Sequence, residues 1–145
     1  MKQLTFVIFK PDATAEVQRE FFDEVKKADL TVVEIGERFV FTPELCEEHY
    51  GHIRNYGAGI YEMCAEWLLA PDSVCTPMII SGVEVIAKVR KIIGPTRQAT
   101  WGLRKTSESA FKDSPKNYVH ASGNEQEVQE EIARFAKYFK NLYTT

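Results

Sequence analysis

Residues 4–9 read L-T-F-V-I-F, apolar at odd and even positions alike, and the run stops at Lys10-Pro11-Asp12. A strand with one face in water alternates apolar with polar residues, so a short segment that is apolar in both phases belongs in the middle of a sheet covered above and below. Pro11 carries no ladder donor and closes the strand.

Val17, Phe21, Val25 and Ala28 then recur at helical spacing, which predicts an amphipathic helix over about 13–28. Residues 30–41 are rich in β-branched and aromatic side chains and read as a second strand, with Gly36 as a bulge and Thr42-Pro43 ending it and opening the next helix. Residues 43–69 read as two helical pieces, broken where asparagine and glycine gather at 55–59. Residues 74–81 form a third strand whose Pro77 assigns it to an edge or a bulge. A short helix follows and ends at Gly94. Residues 95–116 have no periodicity and form a long loop, a length that in a small domain points to function or disorder. Tyr118 and Val119 start a fourth strand, and Asn124 with Glu127 caps a last helix with the stripe Val128, Ile132, Phe135 and Phe139. Strands joined by helices in this order suit a single α+β sandwich spanning 1–145, with helices on an antiparallel sheet.

The 18 basic and 21 acidic residues leave a net charge of -3, so a general nucleic-acid or polyanion binder is not expected. Cys46, Cys64 and Cys75 are odd in number and form no CxxC pair, which fits free thiols in a reducing, cytoplasmic compartment. The first apolar run is too short for a signal-peptide core, and no later one spans a membrane.

Neither GxxxxGK[ST] nor GxGxxG occurs, so phosphate recognition would need side-chain donors converging from separate elements. Lys10 at a strand end, Arg90 on the short helix and Arg104 in the long loop are candidates, Lys10 foremost because it stands where a central strand meets a helix. His120 falls where the fourth strand ends, with Ser122 two residues on and Glu131 at the edge of the last helix's apolar stripe. A carboxylate on one ring nitrogen fixes the tautomer and leaves the other nucleophilic, but spacing alone favours an ordinary hydrogen-bonded histidine at a strand end. Cys46, His49 and His52 recur three apart, yet steps of three drift around a helix and no fourth ligand is evident, so zinc ranks last and no metal site is assigned. His49 reads as a surface or helix-packing residue. Among the aromatics only Tyr56, in the glycine-bearing break, is placed to offer a face to a ligand.

K-P-D after the first strand, E-H-Y in the second helix, Gly82 with Arg90 eight residues on and then G-P-T, and N-Y-V-H-A-S-x-N before the last helix together resemble the nucleoside diphosphate kinases. The resemblance runs in order along nearly the whole chain. It implies a ferredoxin-like α+β sandwich on a four-stranded antiparallel sheet, and ping-pong transfer of the γ-phosphate of ATP or another nucleoside triphosphate to a nucleoside diphosphate. It further implies that His120 carries the phosphate on Nδ1, with Glu131 and Ser122 supporting it. Lys10 and Tyr50 would sit near the transferred phosphate and the sugar. Arg90, Thr96 and Arg104 would hold phosphates, Asn117 the sugar, and Tyr56 and Ile60 the base. Mg²⁺ would arrive with the nucleotide phosphates, and the assembly would be a homo-oligomer. The chain has T-W-G-L-R-K where the family has P-G-T-I-R-G, and extra residues between Ile60 and Val74. The altered loop motivates one alternative: a nucleotide-binding regulatory module of the same fold with weak or no catalysis.

Overall fold

A computed structural model describes residues 2–57 and 59–143. Its elements are β1 (Lys2–Phe9), α1 (Ala15–Lys27), β2 (Thr31–Ile35), α2 (Pro43–Tyr50), α3 (Ile60–Leu68), β3 (Thr76–Val83), α4 (Val85–Ile93), β4 (Val119–Ala121) and α5 (Glu125–Arg134). The four strands form one antiparallel sheet in the order β2-β3-β1-β4. With helices on both faces, it is a ferredoxin-like α+β sandwich.

The double-phase apolar pattern of β1 explains the layering. Phe6 and Ile8 enter one core with α2, α3 and α5, whereas Val7 and Phe9 enter the other with α1 and α4. All four are at most 2% exposed, and each such burial contributes roughly 1.5–3 kcal/mol. The helices start as their sequences direct. Thr14 Oγ1 accepts from Val17 N–H at 3.2 Å, and Thr42 Oγ1 accepts from Leu45 N–H at 3.1 Å, with Pro43 at the first helical position. Asn124 Oδ1 accepts from Glu127 N–H at 2.9 Å, while the Glu127 carboxylate reaches back to Gly123 N–H, one residue before the usual capping-box partner.

Four sequence expectations need correction. The second strand is shorter than 30–41: regular pairing ends at Ile35, and only Phe39 pairs again, with Cys75. Its irregularity lies between Val32 and Glu34, not at Gly36. Gly36 answers a different demand, since a Cβ there would lie 2.8 Å from Tyr138 O, where the C-terminal segment crosses the strand. Pro77 stands in β3, which is interior to the sheet. It is tolerated because its carbonyl accepts from Gly36 N–H at 2.8 Å, which puts its missing donor on the β2 side, where β2 is running out. The last helix ends at Arg134, so Phe135 is fully buried as its cap while Phe139 lies beyond it, half-buried.

The break predicted at 55–59 is a 3₁₀ turn, Gly51–Tyr56, followed by left-handed Gly59; residue 58 lies outside the described residues. The aperiodic segment 95–116 holds two short 3₁₀ turns, Leu103–Thr106 and Glu108–Ala110. It is pinned where Gly94 and Gly102 meet, both at positive φ, with a Cβ on Gly102 falling 2.6 Å from Gly94 N. No helix among the described residues is long and apolar enough to cross a membrane.

Candidate active site

Two sequence motifs 106 residues apart are stitched together at the C-terminal end of β1. Lys10 N–H donates to Tyr118 O at 2.7 Å, and Tyr118 N–H donates to Asp12 Oδ2 at 3.2 Å. Tyr118 takes a left-handed φ of 71°, a conformation that needs tertiary support in a bulky residue. Asp12 supplies it, and β4 emerges in register with β1, His120 opposite Ile8. Strand alternation then sends Val119 and Ala121 into the core under α1 and α4, and His120 to the opposite face.

There His120 Nε2 lies 2.7 Å from Glu131 Oε1. Ser122 Oγ donates to the same carboxylate oxygen at 2.7 Å. Glu131 accepts the Nε2 proton, so the lone pair resides on Nδ1. Burial pushes His120 well below the ordinary histidine value, and the nearby cations Lys10, Arg104, Arg90 and Arg134 act in the same direction. Burial thus favours the neutral imidazole, with its lone pair on Nδ1. Glu131 is shifted upward by burial, opposed by His49 and by the Ser122 hydrogen bond.

His120 opens onto a cleft of about 700 Å³. Of the predicted site residues, Lys10, Tyr50, Tyr56, Arg90, Thr96, Arg104, Asn117, His120 and Glu131 all line it. Ile60 lines a smaller adjoining pocket that shares Tyr50 and Tyr56. Ser122 stands behind, fully buried, reaching the cleft only through Glu131. Tyr56, 59% exposed, is the aromatic face at the mouth.

The cations differ in what they have left to offer. Lys10 Nζ donates to Asn117 Oδ1 at 2.9 Å and to Pro115 O at 3.5 Å, and sits 5.1 Å from the Tyr50 ring centroid. One ammonium hydrogen remains for a ligand. Burial lowers its pKa to about 8. Arg104 donates through Nε and Nη2 to Val119 O and through Nη1 to Gly94 O and Thr96 Oγ1. Two of its five donor hydrogens thus staple the loop to β4 and two more tie it to its own start, and burial lowers its pKa to about 10. Arg90 gives one donor to Ala121 O at 3.1 Å and keeps the rest. Asn117 is engaged at both ends, accepting from Lys10 and donating to Thr96 O at 3.2 Å.

The cysteine and histidine triplet is not assembled: Cys46 is fully buried in the core between α2 and α3, whereas His52 is exposed on the 3₁₀ turn, its ring 6.0 Å from Tyr56. His49 is buried and packs edge-on against His120, with ring centroids 4.5 Å apart. Ligand atoms of His49, His120 and Glu131 lie within 4.8 Å of one another, but protons fill the arrangement: Glu131 holds the one on His120 Nε2, and Arg134 Nη1 donates to His49 Nδ1 at 2.9 Å. Arg97 and Arg134 also line the cleft and were missed from sequence. The one available signal was that Arg134 follows Glu131 by three residues, on the same helical face.

The family model for nucleoside diphosphate kinase matches residues 3–140. A nucleoside diphosphate kinase of Methanosphaera stadtmanae is 27% identical over 93% of this chain and 86% of its own length. The solved nucleoside diphosphate kinase of Aquifex aeolicus covers all of this chain, and is itself fully covered, at 25% identity with a TM-score of 0.73. The Borrelia burgdorferi enzyme, solved with vanadate and ADP as a transition-state mimic, shares the fold at 24% identity and TM-score 0.74, over 99% of this chain and 93% of its own. This chain is an enzyme of the nucleoside diphosphate kinase family.

Proposed function

We propose that this protein, a single domain, moves the γ-phosphate of a nucleoside triphosphate to a nucleoside diphosphate by ping-pong, with His120 as the carrier. The supporting observation is His120 itself: tied at Nε2 to Glu131, on the wall of a cleft lined by cations, where burial favours its neutral form. The Nδ1 lone pair attacks the γ-phosphorus in line. An N–P bond forms, and the bond to the β-phosphate oxygen breaks with its electron pair remaining on the departing diphosphate. A terminal oxygen of the second diphosphate then attacks the phosphorus and the N–P bond breaks back onto Nδ1.

The Nε2 proton stays in the bond to Glu131, whose charge stabilises the ring as it becomes cationic, and Ser122 holds that carboxylate in place. The free donors of Lys10 and Arg90 meet negative charge developing on the transferred group. Arg104 and Thr96 act chiefly by fixing the loop, with one donor of Arg104 left for phosphate. Tyr50 backs Lys10, and its buried hydroxyl has no partner among the described residues, which leaves it free for a ligand oxygen. Asn117 faces the sugar. Tyr56 and Ile60 hold the base by stacking and apolar contact without reading its edges, so all common bases are accepted.

Glu131 is engaged, and the other carboxylates of the cleft, Glu48, Glu127 and Glu130, are exposed, which fits Mg²⁺ held mainly by the nucleotide phosphates. When bound there it neutralises phosphate charge. Three buried free thiols fit a cytoplasmic setting, and homo-oligomeric assembly is carried over from the family resemblance.

The test is intact-protein mass after brief exposure to ATP and Mg²⁺. One acid-labile phosphate, lost on adding a diphosphate and absent in folded His120→Gln, is the expected result. No adduct in protein shown to bind nucleotide would overturn the relay and leave a binding module.

A further inference from the structure

Helix α5 presents two orienting groups to two imidazoles. Glu131 takes the Nε2 proton of His120, and three residues later Arg134 donates to His49 Nδ1 at 2.9 Å. The rings of His49 and His120 meet edge to face, 4.5 Å between centroids at 79°. His49 is 3% exposed, boxed by Tyr50 at 4.5 Å and Phe135 at 5.1 Å, and its Nε2 is buried without a partner among the described residues. Arg134 is 17% exposed in its side chain and reaches out to Glu48 at 3.7 Å.

We infer that Arg134 is a positioning residue for phosphoryl transfer: by donating to Nδ1 it locks His49 as the neutral Nε2–H tautomer, a fixed, uncharged wall against which the His120 ring is held. This rests on the phosphohistidine reading above. A guanidinium cannot give up its proton, so Nδ1 is permanently an acceptor while the contact lasts. Protonating His49 would place two N–H donors nose to nose at that contact. It would also set a second positive ring beside His120 just as phosphorylation makes His120 cationic. The charged and titratable groups facing His49 are Arg134 and Glu131 from α5, His120 from β4, Lys10 from the end of β1, and Glu48 and Tyr50 from its own helix. Burial is the largest influence keeping His49 below the ordinary histidine range; His120, Arg134 and Lys10 add to it and Glu131 opposes.

Replacing Arg134 by leucine frees Nδ1, and His49 gains a site to protonate. The rate of His120 phosphorylation in a single turnover should then fall at low pH, its acid limb moving up by roughly one pH unit, the scale of one like charge added at close range. Arg134→Lys, which still donates, should restore the limb. In Arg134→Leu with His49→Phe, where nothing can protonate, the limb should also return, although the rate stays reduced. Circular dichroism establishes that each variant folds. Imidazole nitrogen NMR of the unliganded protein reads the tautomer directly: wild-type His49 should stay Nε2–H through the acid limb, and in Arg134→Leu it should titrate.

An Nδ1–H tautomer in wild type, an acid limb unmoved in Arg134→Leu, or a shift that persists once His49 is phenylalanine would each overturn the inference. If wild type forms no adduct at all, the phosphohistidine reading fails instead, and the nitrogen resonances still decide the tautomer.

Discussion

Lys10 ties the burial of the site to a measurable pH limb. It is 6% exposed, and desolvation brings its pKa from 10.5 down to about 8, with Cys64 and Asp12 opposing and Arg104 adding to the fall. The ammonium is the useful form, so the sign is fixed: the group is charged below about pH 8 and neutral above it. With that pKa, about nine-tenths of the free enzyme carries the charge at pH 7 and about one-tenth at pH 9. Provided Lys10 must be charged to engage the phosphate, kcat/KM should fall roughly tenfold across that interval, because kcat/KM reports the free enzyme. A lysine at its ordinary value would lose almost nothing there. Initial rates at subsaturating triphosphate, buffered from about pH 7 to about pH 10 at constant ionic strength, measure the limb. Lys10→Arg is the control, since a guanidinium stays charged throughout and should flatten the profile whatever it does to the rate. A profile flat through pH 9 in wild type would refute the argument from burial, and a limb unchanged in Lys10→Arg would assign the titration to another group.

Three other perturbations separate the layers of the structure. Glu131→Ala removes the acceptor for both His120 Nε2–H and Ser122 Oγ–H. It should lower the single-turnover phosphorylation rate by about 10–100-fold, the usual cost of losing an orienting partner, and an unchanged rate would show that the carboxylate is idle. Phe135→Ala empties a fully buried position stacked 4.9 Å from Phe6 and packed on His49. Denaturant unfolding should show a loss of about 3–5 kcal/mol, and a loss under about 1 kcal/mol would mean that the core closes without that ring. Gly102→Ala combines a φ of 77° with a Cβ 2.6 Å from Gly94 N, at about 1–3 kcal/mol of strain. It displaces the loop that carries Thr96 and Arg104 and leaves the His120–Glu131 pair alone, so steady-state kinetics should show KM rising more than kcat falls; the reverse split would place the loop in the chemical step.

The layering was readable because β1 is apolar in both phases, and only a sheet covered on both faces satisfies that pattern. Two helix starts were readable because Thr42 and Asn124 cap through local hydrogen bonds that spacing alone reveals. Errors arose where distant chain decides the local outcome. Gly36 read as a bulge because nothing nearby signals that Tyr138 crosses it. Pro77 read as an edge or bulge residue because a proline inside a sheet is allowed only when its neighbour strand stops short, and the end of β2 is not written next to Pro77. His49 read as a surface or helix-packing residue, and Arg134, 85 residues away, went unremarked, for the same reason.

The site itself shows why residue spacing left His120 undecided while the paired motifs did not. β4 has three residues and little propensity of its own, and it begins after a tyrosine in left-handed conformation. Tyr118 and Val119 mark it as a strand in the sequence but are too little to hold one by themselves. It becomes one because Asp12 and the Lys10 backbone hold Tyr118, and because the Lys10 ammonium holds Asn117. K-P-D and N-Y-V-H are thus two halves of one joint, and each alone is a weak pattern because each alone has no structure to specify. The joint also accounts for the mixed duties of the cations. With no glycine-rich loop to offer backbone donors, Lys10 and Arg104 must build the cleft before they can serve it, so most of their hydrogens bind protein oxygens and a minority faces the ligand. A substitution at Asp12 should therefore act as a site mutation although its carboxylate touches only the backbone of Tyr118, because the register that aims His120 at Glu131 is fixed there.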